Sequence, residues 1–421
     1  MKTEVNEIDE GTGYIGYRKA LDIIRAGVRP VGEETLSLDR CVCRVAAADL
    51  TARVSYPLVD VSLKDGFAVK SADVAYADRR KPVRLKVVGA AFAGGGYEGH
   101  VADGSAVKVC SGSPMPDGTD AVVSIEFCEE ALPEAVFIQA DAGAGRNILR
   151  AGVEVEAGAT IVRKGERLLP GRLGLAAAAG ITGIRVFRRP RVAIVSVGDE
   201  VAAPGEKLQA GQLYASNMVT IKAWLDFFGI SSVTSIVADN EGAIARDLQG
   251  HLPEADVILT SGGALGSERD LVIGVLNTLG WQKLFHYLRM GPGKGSAFGI
   301  WKNTPVFCLP GGPSSNKMAF LQLALPALFR MGGETRSPLQ IVHARLVEDL
   351  KSRHPAWTEF KDVVITPDGC GHYTVALYRN TSRLQAIAGA SGLVCIPEGK
   401  DALRSGDVVP VQLLTPGLND L

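Results

Sequence analysis

At 421 residues the chain exceeds one typical core and calls for roughly two to four domains. A formal charge of −1, with 22% charged residues and no polybasic tract, excludes a nucleic-acid-binding field or an anionic-lipid anchor while leaving a small anionic ligand open. No run reaches the ~20 apolar residues that span a bilayer, the acidic start MKTEVNEIDEGTG is not a signal peptide, and the seven scattered cysteines form no C-x-x-C pair; the reading is cytoplasmic, without a disulfide framework or structural zinc.

In chain order, residues 14–28 place Tyr17, Ala20, Leu21, Ile24 and Val28 at helical spacing and predict an amphipathic helix. From about 67 to 150, short alternating runs such as VRLKVVGAAF and SAVKVCSG between turn signals predict a small all-β module. Residues 151–187 pair a β-like stretch with a helix at 170–180, whose Pro170 suits the first turn. From 188 to 331 the texture becomes βαβα. Strands at 192–197, 232–237, 257–261 and 305–310 precede helices near 216–229, 241–251, 270–279 and 314–329. Near-continuous apolar strands between amphipathic helices imply a parallel sheet covered on both faces. Beyond 336, the runs IVHARLV, YTVALY, GLVCIP and DVVPVQLL predict a second β module.

Open α/β sheets bind ligands at the carboxyl ends of their strands. Here those ends carry Asp199 and Glu200 in VGDEV, Asp239 in ADN, Ser261, Gly262, Gly263 and Asp270 in TSGGALGSERD, and Pro310, Gly311, Pro313 and Ser314 in LPGGPSSN. Any one of these reads equally well as a loop or a helix cap. Together they supply two glycine-rich turns for phosphate and several carboxylates for a hard cation such as Mg²⁺. The chain has no G-x-x-x-x-G-K-[ST] loop, and its six histidines lie outside these motifs.

These residues carry a resemblance. TSGGALGSERD resembles the S-G-G-x-x-x-G-x-x-D signature of molybdopterin-binding domains in MogA and MoeA proteins, with Asp270 in register and Gly266 one position early. DVSLKDGFAV (60–69) is similar to the MoeA stretch D-N-S-A-M-D-G-Y-A-V. CSGSPMPDGTDAVV (110–123) is similar to T-G-A-P-x-P-x-G-A-D-A-V-V, and NILRAGVEVEAG (147–158) to N-x-R-x-x-G-E-D-x-x-x-G. VGDEV, YASN and LPGGP follow in order, so the resemblance to the MoeA family and the gephyrin E domain runs through nearly the whole chain.

The resemblance implies an α/β fold with added β modules in four domains. Residues 1–66 and 151–187 would form a linker and dimerisation domain, and 67–150 an inserted β domain. Residues 188–331 would form a MogA-like molybdopterin-binding domain, and 336–421 a β-barrel-like domain. It further implies an elongated homodimer, with the cleft between the α/β domain of one subunit and the inserted region of the other. The implied reaction takes adenylylated molybdopterin and molybdate, with Mg²⁺, to molybdenum cofactor and AMP. A MogA-type adenylyltransferase would act upstream and a molybdoenzyme would receive the product.

Carried over by position, Asp65, Ser111, Glu200 and Asp270 are the expected catalytic residues. Glu154, Glu200, Asp239 and Asp270 are the expected metal ligands, and Ser261, Gly262, Gly263, Lys294, Pro310, Gly311, Pro313 and Ser314 would bind the substrate. The family's K-L-x-x-K-P-G-K reads YLRMGPGK here, so Tyr287 and Gly291 replace two lysines and Lys294 remains, with Arg289 as a candidate substitute cation. Val61, Lys64, Leu149, Val153, Ala215 and Gly312 also depart from the pattern. The lost lysines with Gly312 and Ala215 favour the alternative reading of a non-catalytic carrier or scaffold on the same fold, while the acidic cluster, intact in charge, favours an active transferase. An enzyme of another nucleotide-linked metabolite, CinA-like, fits less well because of the two β modules.

Overall fold

The computed structural model describes residues 13–130, 134–262, 271–368, 371–379 and 382–415. They divide into two compact units, 34–186 on the one hand and 13–33 with 187–415 on the other.

The 34–186 unit is built on a six-stranded sheet in the order Ala121–Ser124, Gly66–Val69, Ser105–Val109, Val83–Ala91, Ala135–Ile138 and Cys128–Glu130. Alternation explains its two faces. Phe67 and Val69 enter one apolar cluster with Leu85, Ala106 and Val136, while Ala68 enters a second with Val107, Val109 and Val122. Gly66 is required by close approach, since a Cβ there would lie 2.0 Å from the Val123 carbonyl oxygen. Beside the sheet, Val61–Ser62 pairs antiparallel with Ile148–Leu149. Helix Pro170–Ala178 starts on its proline and packs into a third cluster with Leu36, Val162 and Ile184.

In the other unit, β1 (Val192–Val197), α1 (Ser216–Phe227), β2 (Ser232–Val237), α2 (Glu241–His251), β3 (Val257–Ser261) and α3 (Leu271–Thr278) alternate along the chain. They are followed by β4 (Gln282–His286), β5 (Ala297–Trp301), β6 (Thr304–Leu309) and α4 (Pro313–Ala319). The sheet order is β2-β1-β3-β6-β5-β4. The first four strands are mutually parallel, whereas β5 runs against both β6 and β4. Val192 and Ile194 enter one core with Val257, Leu259, Phe307 and Leu309. Ala193, Val195 and Val197 enter the opposite one with Ile258, Val306 and Cys308. Burial on both faces is why these strands read as unbroken apolar runs. The antiparallel edge was not expected from sequence: Gln282–His286 is mixed in polarity because an edge strand is covered less.

Helix α4 continues through a π turn, Phe320–Ala324, into Leu325–Met331. The amphipathic helix at the N-terminal end spans Tyr17–Gly27 and buries Ala20 and Ile24 in the core of this same unit. Downstream, Thr358–Pro367, Tyr373–Leu377, Ile341–Leu346, Val408–Leu413 and Gly392–Ile396 close into a barrel, the last strand pairing back onto the first. The longest of them, Thr358–Pro367, was not anticipated: Lys361 and Asp362 interrupt its apolar run, and they pair with Glu359 and Lys317. Among the described residues no helix is long and apolar enough to cross a membrane.

Candidate functional site

Residues expected at the site fall in both units. In the 34–186 unit, the turn before Gly66–Val69 brings Asp65 against Ser111. The Ser111 amide donates to Asp65 Oδ1 at 2.7 Å, and its hydroxyl donates to the Leu63 carbonyl at 3.3 Å. Both residues are exposed, so an acid and a hydroxyl face solvent side by side. The turn is anchored beneath them. Ser62 is buried, its amide bonded to Ser113 O and its carbonyl to the Gly112 amide, while the Leu63 amide donates to Asn147 O. Asn147 holds a left-handed φ of 56° and donates from its side chain to Val122 O at 2.8 Å. Asp60 accepts from the Ala151 amide at 2.8 Å and from Arg150 at 2.6 Å, which holds its carboxyl below the usual range, the amide contributing most. Glu154 is exposed, its amide bonded to Tyr56 O, and it has no hydrogen bond to Asp65 or Ser111.

In the α/β unit, β1 and β3 are adjacent and the chain leaves β1 for β2 on one side before returning to β3 on the other. This switch point opens a crevice at the carboxyl ends. The β3 turn is glycine by necessity: Gly262 has φ 99°, and a Cβ would lie 2.4 Å from Val197 O. Its amide bonds to Leu309 O at 3.2 Å, tying it to the end of β6. Two asparagines lock the crevice. Asn316, buried in the first turns of α4, donates to Ser261 Oγ at 3.0 Å and Pro310 O at 2.9 Å. Asn217, at the start of α1, donates to Gly311 O at 2.8 Å and reaches Ser261 Oγ at 3.4 Å. Ser261, Gly262, Pro310 and Gly311 are thereby drawn together, with Pro313 and Ser314 opening α4 behind them. Neither asparagine was singled out from sequence as a site residue, although Asn217 lies in the YASN motif. An Asn three residues past Pro313, at a predicted helix start, is the signal that could have found Asn316.

At the acidic end, the Asp239 amide donates to Asp199 Oδ1 at 3.0 Å, and Glu200 sits on the same turn with its side chain exposed. Oxygen donors of this kind suit Mg²⁺. However, among the described residues no group of three acidic, histidine or cysteine side chains converges as a metal centre. Gly263 and Asp270 lie outside the described residues.

The opposite end of the same edge carries the 287–294 turn. Lys294 is exposed, with its carbonyl accepting from the Leu288 amide at 3.0 Å. Arg289 does not replace the missing lysines, because its guanidinium bonds Glu398 at 3.0 and 2.9 Å and Tyr14 O at 3.4 Å. Where a lysine was expected, Tyr287 instead stacks on His286 with ring centroids 3.8 Å apart.

Among the histidines one meets Ser and Asp. His251 Nε2 lies 3.1 Å from Ser235 Oγ and 3.4 Å from Asp247, which also accepts from Ser235 at 2.8 Å. Because one nitrogen faces both partners, the acid does not orient the ring for proton relay through its other nitrogen, as a hydrolytic triad requires.

Comparison with known proteins agrees with this arrangement. A model of the MoeA N-terminal region (domains I and II) matches residues 15–180, and one of a probable molybdopterin binding domain matches 193–330. A molybdopterin molybdenumtransferase of Haemophilus influenzae is 31% identical over 306 residues, 72% of this chain and 74% of that protein. Molybdopterin molybdenumtransferase 2 of Mycobacterium tuberculosis is 29% identical over 94% of this chain and 98% of its own. The crystal structure of a molybdopterin biosynthesis MoeA protein from Pyrococcus horikosii superposes with a TM-score of 0.81 at 29% identity, covering 96% of this chain and all of that one. With the fold, the motif order and these relatives in agreement, the chain belongs to the MoeA family of molybdopterin molybdenumtransferases, transferases of molybdenum cofactor biosynthesis.

Proposed function

We propose that this chain inserts molybdate into adenylylated molybdopterin and releases AMP, in the cytoplasm and as a homodimer. The observation that carries the reading is the pair of turns at Ser261–Gly262 and Pro310–Gly311, cross-braced by Asn316 and Asn217 at the switch point. Backbone N–H groups in such turns favour phosphate oxygens, a role left to Gly311 and the residues after it, since the Gly262 amide is bonded to Leu309 O and Pro310 has none. Asp65 and Ser111, with the hydroxyl and acid exposed, suit orientation of an oxyanion or a proton transfer during cleavage. Glu200, Asp239 and Asp270, with Glu154, are the proposed Mg²⁺ ligands; the cation when bound would neutralise charge on the phosphates.

The proposed domains are 1–66 with 151–187, 67–150, 188–331 and 336–421. The proposed partners are a MogA-type enzyme upstream and a molybdoenzyme downstream. The carrier reading is not favoured by the relatives, which are named as transferases. AMP release under saturating ligand tests the assignment: Asp270→Asn and chelation of Mg²⁺ should each slow it at least about 100-fold. Unchanged turnover in Asp270→Asn would remove that residue from the metal site.

A further inference from the structure

The sheet register places six positions level with one another: His286 beside Ala297, Ala297 beside Cys308, Cys308 beside Thr260, Thr260 beside Val195, and Val195 beside Ser235. Strand β4 runs parallel to β6, so Tyr287 emerges on the same carboxyl edge as Gly262 and Gly311. With strands spaced ~4.8 Å, it stands three strands, about 14 Å, along that edge from the β3 turn.

Consecutive residues of an extended strand point to opposite faces. His286 and Tyr287 instead stack at 3.8 Å with planes 14° apart, because Tyr287 adopts a left-handed φ of 70° that folds its ring back over its neighbour. That conformation is uncommon for a bulky side chain and collects at ligand clamps. Tyr14 lies 5.5 Å from Tyr287 and Trp357 lies 5.7 Å from Tyr14, which extends the aromatic surface. All four residues are half-buried. The neighbouring cations are unequal: Arg289 is held by Glu398, while Lys294 is exposed and makes no ion pair among the described residues.

We propose that the His286–Tyr287 stack is the specificity-determining platform for a planar heterocycle of the substrate, with Lys294 taking the phosphate attached to it. Ring stacking would thus stand in for an ionic grip at this end of the crevice. The inference rests on the transferase reading for the identity of the heterocycle, which is either the adenine or the pterin of a pterin nucleotide. Stacking of a base on an aromatic side chain is sequence-tolerant and strong enough to change affinity about tenfold or more on deletion.

Calorimetric titration of the full chain with AMP, pterin-6-carboxylate and inorganic pyrophosphate tests it. Wild type and Tyr287→Phe should bind one of the two heterocycles within about twofold of each other. Tyr287→Ala should weaken that ligand at least about tenfold and leave pyrophosphate unchanged; which ligand responds identifies the ring. Tyr287→Lys should weaken the same heterocycle and tighten pyrophosphate. The inference is overturned if Tyr287→Ala binds both heterocycles as wild type does, if wild type binds neither, or if Tyr287→Ala loses pyrophosphate equally. AMP release measured on the same proteins separates the two claims. Turnover with heterocycle binding indifferent to Tyr287 sinks the platform and leaves the transferase, whereas a ring-selective loss without turnover does the reverse.

Discussion

Replacing Asn316 with alanine should loosen both glycine-rich turns together. Its amide group bonds Ser261 Oγ at 3.0 Å and Pro310 O at 2.9 Å from a position that is 1% exposed. Each bond has a net worth of about 0.5–1.5 kcal/mol, and each buried partner left alone costs about 1–3 kcal/mol. Asn217 still reaches Ser261 Oγ at 3.4 Å, so the hydroxyl keeps a weak partner while the Pro310 carbonyl loses the amide. The expected loss is therefore about 2–4 kcal/mol of local stability, below the sum of all terms. Hydrogen exchange reads it directly. The Gly262 amide, bonded to Leu309 O, should exchange about 30-fold faster or more, since 1.4 kcal/mol is tenfold. Substrate affinity should fall at least about tenfold as the turn amides lose their fixed positions. Gly262 exchange within about twofold of wild type, with unchanged affinity, would refute the claim that Asn316 braces the phosphate turns.

Asp65→Ala should reduce AMP release more than about 100-fold while shifting the melting temperature by no more than about 2 °C, because Asp65 and Ser111 are both exposed; a large melting shift would make the residue structural. Asp256 pairs with Arg188 through both oxygens at 2.7 Å and accepts the Arg191 amide at 2.7 Å. Burial pushes its carboxyl up, but these partners together hold it below the usual range. A depressed folded value gives stability that is present above the ordinary carboxylate range and lost as pH falls through the lowered value. Thermal melts from pH 7 down to about 2.5 should accordingly show a shallower acid slope in Asp256→Asn, together with lower stability at pH 7. A Cβ at Gly291 would meet only Glu359 Cγ at 3.7 Å and a Trp357 carbon at 3.9 Å, ordinary contacts, so the backbone there accepts Gly291→Lys. It should tighten pyrophosphate about tenfold by calorimetry; no change would place the anion elsewhere.

The parallel core was readable because its strands bury both faces. Residues 192–197 and 257–261 were delimited by apolar continuity, the half-polar edge strand 232–237 by its place between two helical patterns, and the strand expected at 305–310 spans Thr304–Leu309. What escaped was the antiparallel edge and strand Thr358–Pro367, where half-covered or ion-paired positions break the apolar pattern. At the site, glycine and acid positions announced themselves by spacing. The bracing by Asn217 and Asn316 did not, because it depends on two helix starts converging on strands far away in sequence. Arg289 looked like a spare cation in the linear sequence; only the fold brings Glu398 to occupy it.

The most direct test of the proposed transfer is a single-turnover assay with adenylylated molybdopterin, Mg²⁺ and either molybdate or tungstate. AMP release should require both the divalent cation and the oxyanion, with metal incorporated into the product. Tight binding of the adenylylated pterin with no AMP released would contradict it and leave a carrier built on a transferase fold.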